Sequence, residues 1–209
     1  MTTLINRETW LENAKDALLN KVFFPVSTMG RVYSQSHLQS VSYTIPEKIR
    51  IACSWPSRNA GPSNRRAIGQ NFSPTASGDG TNEIIISMVL DDPIRVLDVL
   101  THELVHALVG NEHGHKGPFR TLAKAVGLEG KMTATVAGEE LTATLKEIYE
   151  DLGEYPHAQL DISNVKKQST RLIKMECNDC GFIARASRKA IEDAGLPTCG
   201  CGGTMDTDM

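Results

Sequence analysis

The most informative stretch of the sequence is residues 92–119, DPIRVLDVLTHELVHALVGNEHGHKGPF. Within them, residues 102–106 read HELVH, which is an H-E-x-x-H pattern. Residues four apart on a helix lie one turn apart on the same face, so the imidazoles of His102 and His106 can reach one metal ion. The stretch therefore predicts a helix that carries two metal ligands.

The limits of this helix are also encoded in the sequence. Asp92 is a suitable N-cap, Pro93 suits the first helical position, and Gly110 supplies a C-terminal stop. Apolar residues recur at helical spacing and cover most of the surface, which is typical of a buried helix: Ile94, Val96, Leu97, Val99, Leu100, Leu104, Val105, Leu108 and Val109. Burying two histidines and a glutamate is costly unless a metal or hydrogen bonds satisfy them. The alternative is a chance pattern, with both histidines as hydrogen-bonded core residues.

A catalytic zinc usually has three protein ligands and leaves its fourth position for water. Glu112, His113 and His115 follow the predicted helix, and each has a suitable side chain. We favour His115, because it precedes a second predicted helix that can hold it in place, and because Phe119 lies one turn later. His113 remains the main alternative.

Glu103 is about 100° around the helix from His102. It is the residue predicted to take a proton from water that zinc has acidified to a pKa near ~7, and to return it to the leaving amine. A structural metal site needs no base at this position. Glu103 therefore favours a hydrolase.

The stretch resembles the SprT-like (Spartan) family of zinc metalloproteases, in which H-E-x-x-H precedes a third histidine with an aromatic residue four positions later. His115 and Phe119 match that spacing, whereas counting from His113 leads to Gly117. Lys116 follows His115 where the family more often has glycine. The resemblance extends from the strand near residues 83–87 to the C-terminal cysteines.

This resemblance implies an α+β, zincin-like domain with a small sheet packed on helices. It implies that His102, His106 and His115 bind the catalytic zinc and that Glu103 is the catalytic base. It also implies that the substrates are proteins bound or crosslinked to DNA.

The remaining periodicity predicts helices near residues 7–22, 118–126 and 138–152, and strands near 41–45, 49–55, 67–72 and 83–90. We expect Pro25 to end the first of these helices. We expect a protease-like domain over residues 1–153, a linker over 154–169 and a zinc ribbon over 170–209. If the strand at 83–90 forms a sheet edge, an extended substrate can pair with it.

Four of the five cysteines lie close together near the C-terminus, in the pattern C-x2-C-x18-C-x-C. Cys177, Cys180, Cys199 and Cys201 therefore predict a four-cysteine zinc ribbon, for which metal binding supplies most of the folding energy. Together with the histidine site, this gives two Zn2+ ions per chain. The alternative is free thiols or a disulfide in an unfolded tail. Cys53 stands apart and is expected to be a small buried apolar residue.

Charge is unevenly distributed along the chain. Residues 166–189 contain seven basic and two acidic side chains, a net charge of +5, which leaves −8 for the rest because the whole chain carries −3. This asymmetry suggests that the ribbon contacts DNA phosphates. A solubilising surface is the competing explanation.

The 209-residue chain has 40% hydrophobic residues, which is ordinary for a globular protein. Its N-terminus lacks the pattern of a signal peptide, so we expect it in the cytoplasm of a bacterial or phage-infected cell. The first hypothesis is thus a zinc metallopeptidase directed to DNA-associated proteins. The second is a nucleic-acid-binding regulatory zinc protein without protease activity, and the third is a zinc hydrolase acting on a non-protein amide.

Overall fold

A computed structural model of the chain describes residues 6–28, 43–57, 67–161 and 172–207. The protein combines α-helices with small β-sheets. It divides into two compact units, Met1–Ser163 and Asn164–Met209. Among the described residues, no helix combines the length and apolar surface needed to cross a bilayer.

The first unit begins with a longer helical segment than the sequence predicts. Helix α1, Arg7–Leu18, is followed by a π-helical turn, Leu19–Phe23, and by helix α2, Phe24–Thr28. The prediction that Pro25 ends the helix is therefore wrong. Pro25 lies in the first turn of α2, directly after the π-turn, a position at which the missing N–H of proline is tolerated.

Three strands form the sheet of the first unit: β1 (Ile49–Ser54), β2 (Gly69–Phe72) and β3 (Asn82–Ser87). Their order is β1-β3-β2, with β1 parallel and β2 antiparallel to β3. These strands confirm three of the four predicted ones. For the fourth, residues 43–45 are not in a strand, and residues 41–42 lie outside the described part.

The central position of β3 overturns one expectation. Both sides of β3 are already hydrogen-bonded, to β1 and to β2, so it offers no free edge to a substrate. Within the described sheet, the edge nearest the H-E-x-x-H helix is β2. Sequence could not reveal this, because strand order depends on long-range pairing.

Residues 93–109 form helix α3, Pro93–Val109, with the start and end that the sequence predicts. The Asp92 carboxylate accepts the backbone N–H of Arg95 at 2.7 Å, and Gly110 ends the helix with a φ of 92°. Leu97, Leu100 and Leu104 are completely buried. The helix packs against the sheet and against the helices that follow and precede it, so it forms the centre of the unit.

A short 3-10 turn, Asn111–His113, leads from α3 to helix α4, Pro118–Ala125. A β-hairpin that the sequence did not predict follows, made of β4 (Leu128–Lys131) and β5 (Ala134–Ala137). Helix α5, Glu139–Leu152, completes the series.

Part of the predicted linker is hydrogen-bonded to the first unit. The backbone N–H of Leu160 donates to the carbonyl of Met88 at 2.8 Å. Tyr155 is buried, and its ring centroid lies 4.9 Å from that of Trp10. The described residues 154–161 therefore complete the packing around α1.

The second unit contains β6 (Ile173–Cys177), β7 (Ile183–Ala186), helix α6 (Arg188–Ala194) and β8 (Met205–Asp206). The antiparallel strands have the order β7-β6-β8. Its buried hydrophobic cluster is small, and in the described residues it consists of Met175, Cys177, Ile191, Cys199 and Met205. So small a core offers little apolar burial to stabilise a fold.

Candidate metal centres and a buried glutamate

Three imidazole nitrogens converge beside α3. The Nε2 atom of His115 lies 3.3 Å from Nε2 of His102 and 3.2 Å from Nε2 of His106. Two nitrogens at about 2.0–2.1 Å from a tetrahedral ion are about 3.3 Å apart. The three histidines are therefore positioned to bind a metal ion.

His113 is not part of this group. Its Nε2 lies 3.7 Å from Glu112 Oε1, and both side chains are exposed. Gly114 and Gly117 flank His115 with φ values of 51° and 48°, a region that favours glycine. The chain turns back at these two glycines, and this brings His115 to α3.

The Phe119 ring packs against all three imidazoles. Its ring centroid lies 5.0 Å from that of His102, 4.3 Å from that of His106 and 4.9 Å from that of His115. The Phe119 side chain is completely buried. One aromatic ring thus limits the orientations of all three candidate ligands.

The environment keeps the histidines neutral. Burial, together with repulsion from the neighbouring imidazoles, lowers the pKa of His102 to about 4 and that of His106 to about 3. Burial also lowers the pKa of His115. At neutral pH each ring therefore has an unprotonated nitrogen, which a metal ligand requires.

Thr135 is a neighbour of this group that sequence analysis missed. Its Oγ1 lies 2.8 Å from Nδ1 of His102, and the residue is buried on β5. By contrast, Nδ1 of His106 is buried without a hydrogen-bond partner among the described residues. Nothing in the local sequence of Thr135 marks this contact, because it spans 33 positions.

Glu103 is buried against β2. Burial raises the pKa of Glu103 to about 8, and the backbone N–H of Asn71 opposes this by favouring the charged form. A Cβ added to Gly69 would lie 2.5 Å from Glu103 Oε1. The absence of a side chain at Gly69 therefore makes room for the carboxyl group.

Two asparagines connect β2 to the turn that precedes His115. Asn71 Nδ2 donates to Asn111 Oδ1 at 3.0 Å, and Asn111 Nδ2 donates to the backbone carbonyl of Asn71 at 3.1 Å. The strand beside Glu103 and the loop that carries His115 are thereby held together.

In the second unit, the four predicted cysteines also lie close together. The Sγ atoms of Cys177 and Cys201 are 3.6 Å apart, as are those of Cys180 and Cys199. Sulfurs at about 2.3 Å from a tetrahedral zinc are about 3.8 Å apart. The group is therefore positioned to bind a metal ion.

Backbone amides support a thiolate in this second group. The N–H groups of Cys180 and Asp179 lower the pKa of the Cys177 thiol to about 7. Thiolates are the form that binds metal. Cys53 belongs to neither group and is buried in the core of the first unit, as predicted.

The structure describes part of the basic segment that the sequence analysis identified. Lys166, Lys167 and Arg171 lie outside the described residues. Among residues 172–207, Lys174 forms an ion pair with Glu176. That segment carries four basic and five acidic side chains. Three of the seven basic residues between positions 166 and 189 thus precede β6, and four lie in or after it.

Comparison of the chain with protein-family models, with curated proteins and with solved structures returned no match. Any function assigned to it therefore rests on its own residues and their geometry.

Proposed function

We propose that the protein is a zinc-dependent metallopeptidase whose catalytic ion is bound by His102, His106 and His115. The observation that carries this proposal is the convergence of three neutral imidazoles, with Nε2 atoms 3.2–3.3 Å apart. Three histidines suit zinc and leave a coordination position open, which is the pattern of catalytic rather than structural sites. The H-E-x-x-H pattern and its resemblance to the SprT-like family support a zincin-like fold.

Zinc bound by three histidines supplies Lewis acidity toward a carbonyl oxygen and acidifies water to a pKa of about 7. Glu103 is the proposed general base. Its pKa of about 8 in the metal-free protein keeps it protonated at neutral pH. A nearby divalent cation favours the carboxylate. In that form Glu103 takes a proton from the attacking water and returns it to the leaving amine.

The strand proposed to bind an extended substrate is β2, in place of β3. It lies at the edge of the described sheet and packs against α3. A peptide that adds to this edge gains backbone hydrogen bonds. Because Glu103 lies against β2 near Gly69 and Asn71, such a peptide would lie beside the proposed base.

We further propose that the substrates are proteins associated with or crosslinked to DNA. The resemblance to the SprT-like family favours this class. The four-cysteine group of the second unit, preceded by the basic residues from position 166 onward, supports a nucleic-acid-binding module.

A regulatory zinc protein that binds nucleic acid without cleaving protein is the second candidate. The observation that favours it is the burial of Glu103, since a carboxyl group with a pKa of about 8 can also serve as a neutral structural residue. The two candidates differ in whether Glu103 takes part in hydrolysis.

The test compares the zinc-loaded wild type with Glu103→Gln on a DNA-binding protein substrate, with and without DNA, by following product fragments over time. We expect cleavage by the wild type, faster with DNA, and loss of cleavage in Glu103→Gln at unchanged zinc content. Glu112→Gln is the matched control, since Glu112 is exposed and outside the histidine group.

Equal cleavage by Glu103→Gln, or none by a wild type that holds both zinc ions, would contradict the peptidase proposal. Cleavage at the same rate without DNA would preserve the peptidase and remove the DNA-directed part.

A further inference from the structure

We propose that Thr135 is a positioning residue, which fixes the tautomer and orientation of His102 so that its Nε2 is available to the metal. The inference rests on the proposed metal centre. It assigns a function to the β4–β5 hairpin, a segment that the sequence left without a role.

The contact is short and enclosed. Thr135 Oγ1 lies 2.8 Å from His102 Nδ1, and only 5% of the Thr135 surface is exposed. Nδ1 of His106 has no partner among the described residues. Of these two imidazoles on α3, His102 is thus the one whose Nδ1 has a hydrogen-bond partner among the described residues.

The chemistry of imidazole gives this contact a direction. A neutral imidazole carries its proton on one nitrogen and a lone pair on the other. Because the metal needs the lone pair at Nε2 of His102, Nδ1 must carry the proton and donate it to Thr135 Oγ1. Loss of such an outer partner typically lowers metal affinity about 10–100-fold.

The rest of β5 also packs against α3. Ala137, two residues after Thr135, lies near the buried Asp98 side chain; burial raises the pKa of Asp98, and Arg95 and the backbone N–H of Ala137 oppose that rise. Asp98 lies one helical turn before His102 and also pairs with Arg95.

The distance from Thr135 to Ala137 along β5 matches the distance from His102 to Asp98 along α3. Two residues along a strand advance about 6.6 Å, and four residues along a helix advance about 6 Å. Thr135 and Ala137 can therefore contact His102 and Asp98 at the same time. The packing of β5 on α3 therefore places the Thr135 hydroxyl beside His102 in the absence of a metal.

The experiment uses the full chain and zinc alone as the ligand. Zinc affinity is measured by competition with a chelator for the wild type, Thr135→Val, Thr135→Ser and a control, Thr101→Val. Thr101 is also buried beside His102, but its hydroxyl donates to the carbonyl of Leu97 at 2.8 Å. The control thus removes a buried hydroxyl without touching the imidazole. Nitrogen chemical shifts of His102 in the metal-free protein report the tautomer.

We expect Thr135→Val to lower the zinc affinity of the histidine site by about 10–100-fold and to reduce the Nδ1–H tautomer of His102. Thr135→Ser should stay within about threefold of the wild type, because it keeps the hydroxyl. Thr101→Val should leave affinity and tautomer unchanged. The four-cysteine site serves as an internal reference in each variant. If Thr135→Val does not fold, Thr135→Ala removes the hydroxyl without added bulk and carries the same expectation.

A hydroxyl-free variant with wild-type affinity and tautomer would overturn the inference, and so would a serine variant as weak as valine. A wild type whose histidines bind no zinc would instead overturn the proposed metal centre, so the two failures are distinguishable.

Discussion

His102 and His115 are 13 residues apart in the chain, yet their Nε2 atoms lie 3.3 Å apart. The distance is short because α3 ends at Gly110 and the following turns reverse the chain before α4 begins. A metal centre is thus assembled from one helix and the loop that follows it.

Phe119 should stabilise both the fold and the histidine group. Replacing a completely buried phenylalanine with alanine removes packing and leaves a cavity, so Phe119→Ala should lower the free energy of unfolding by about 3–5 kcal/mol. Zinc affinity should also fall, because the ring contacts all three imidazoles. Denaturant unfolding measures the first effect and chelator competition the second. Wild-type values for both would show that the ring is dispensable. Phe24→Ala, at a position 57% exposed, is the control.

Gly69 should be required for the placement of Glu103. In Gly69→Ala the new Cβ would lie 2.5 Å from Glu103 Oε1 and 2.7 Å from Val99 Cγ1. We expect a loss of about 1–3 kcal/mol in the free energy of unfolding, as for other overpacked sites. Hydrolysis should decrease while zinc content is retained.

Gly78→Ala is the matched control, because a Cβ there meets no atom within 4 Å. Its stability should stay within about 0.5 kcal/mol of the wild type. If Gly69→Ala behaves like Gly78→Ala, then β2 does not constrain Glu103.

The stability of the metal-free first unit should have a maximum near pH 6.5. The pKa values of His102 and His106, about 4 and 3 when folded, lie below the unfolded value of about 6.5. The unfolded chain therefore binds more protons below that pH, and stability is lost as pH falls from 6.5. For Glu103 the folded pKa of about 8 lies above the unfolded value. The unfolded chain therefore loses the Glu103 proton at a lower pH than the folded chain, so the first unit loses stability as pH rises toward 8.

Trp10 and Trp55 both belong to the first unit, so tryptophan fluorescence follows its unfolding. The denaturant midpoint of chelator-treated protein should decline on both sides of the maximum. The decline above pH 6.5 should disappear in Glu103→Gln. A midpoint that is flat between pH 5 and 8 would refute the assigned protonation states.

The second unit should fold only with its metal. Its small cluster of buried side chains supplies little stability, so removal of the metal should unfold β6–β8 and leave the first unit folded. Cys180→Ser should have the same effect, whereas Cys53→Ala should not, since Cys53 lies in the other unit. Amide spectra with and without chelator provide the measurement. Persistent dispersion of the second-unit signals after metal removal would contradict this prediction.

Several features of the fold and of the candidate site could be predicted from neighbouring residues in the sequence. The N-cap Asp92, the following proline and Gly110 defined α3, because capping depends on neighbouring residues. The spacing from His115 to Phe119 favoured His115 over His113, and the structure places His115 in the histidine group.

Features that depend on distant contacts were not predictable in this way. The central place of β3 results from pairing with strands on both sides. The roles of Gly69 and Thr135 arise only when a strand or hairpin packs against α3, and neither residue has a local pattern that marks it. The helix was predicted to end at Pro25 because proline usually breaks helices, whereas here a π-turn precedes it.

The most direct test of the central claim is the metal content of the purified full chain, measured by elemental analysis together with protein concentration. We predict two zinc ions per chain for the wild type and for His113→Ala, and one for His115→Ala, which should keep only the four-cysteine site. One ion or none in the wild type, or loss of an ion in His113→Ala instead of His115→Ala, would contradict it.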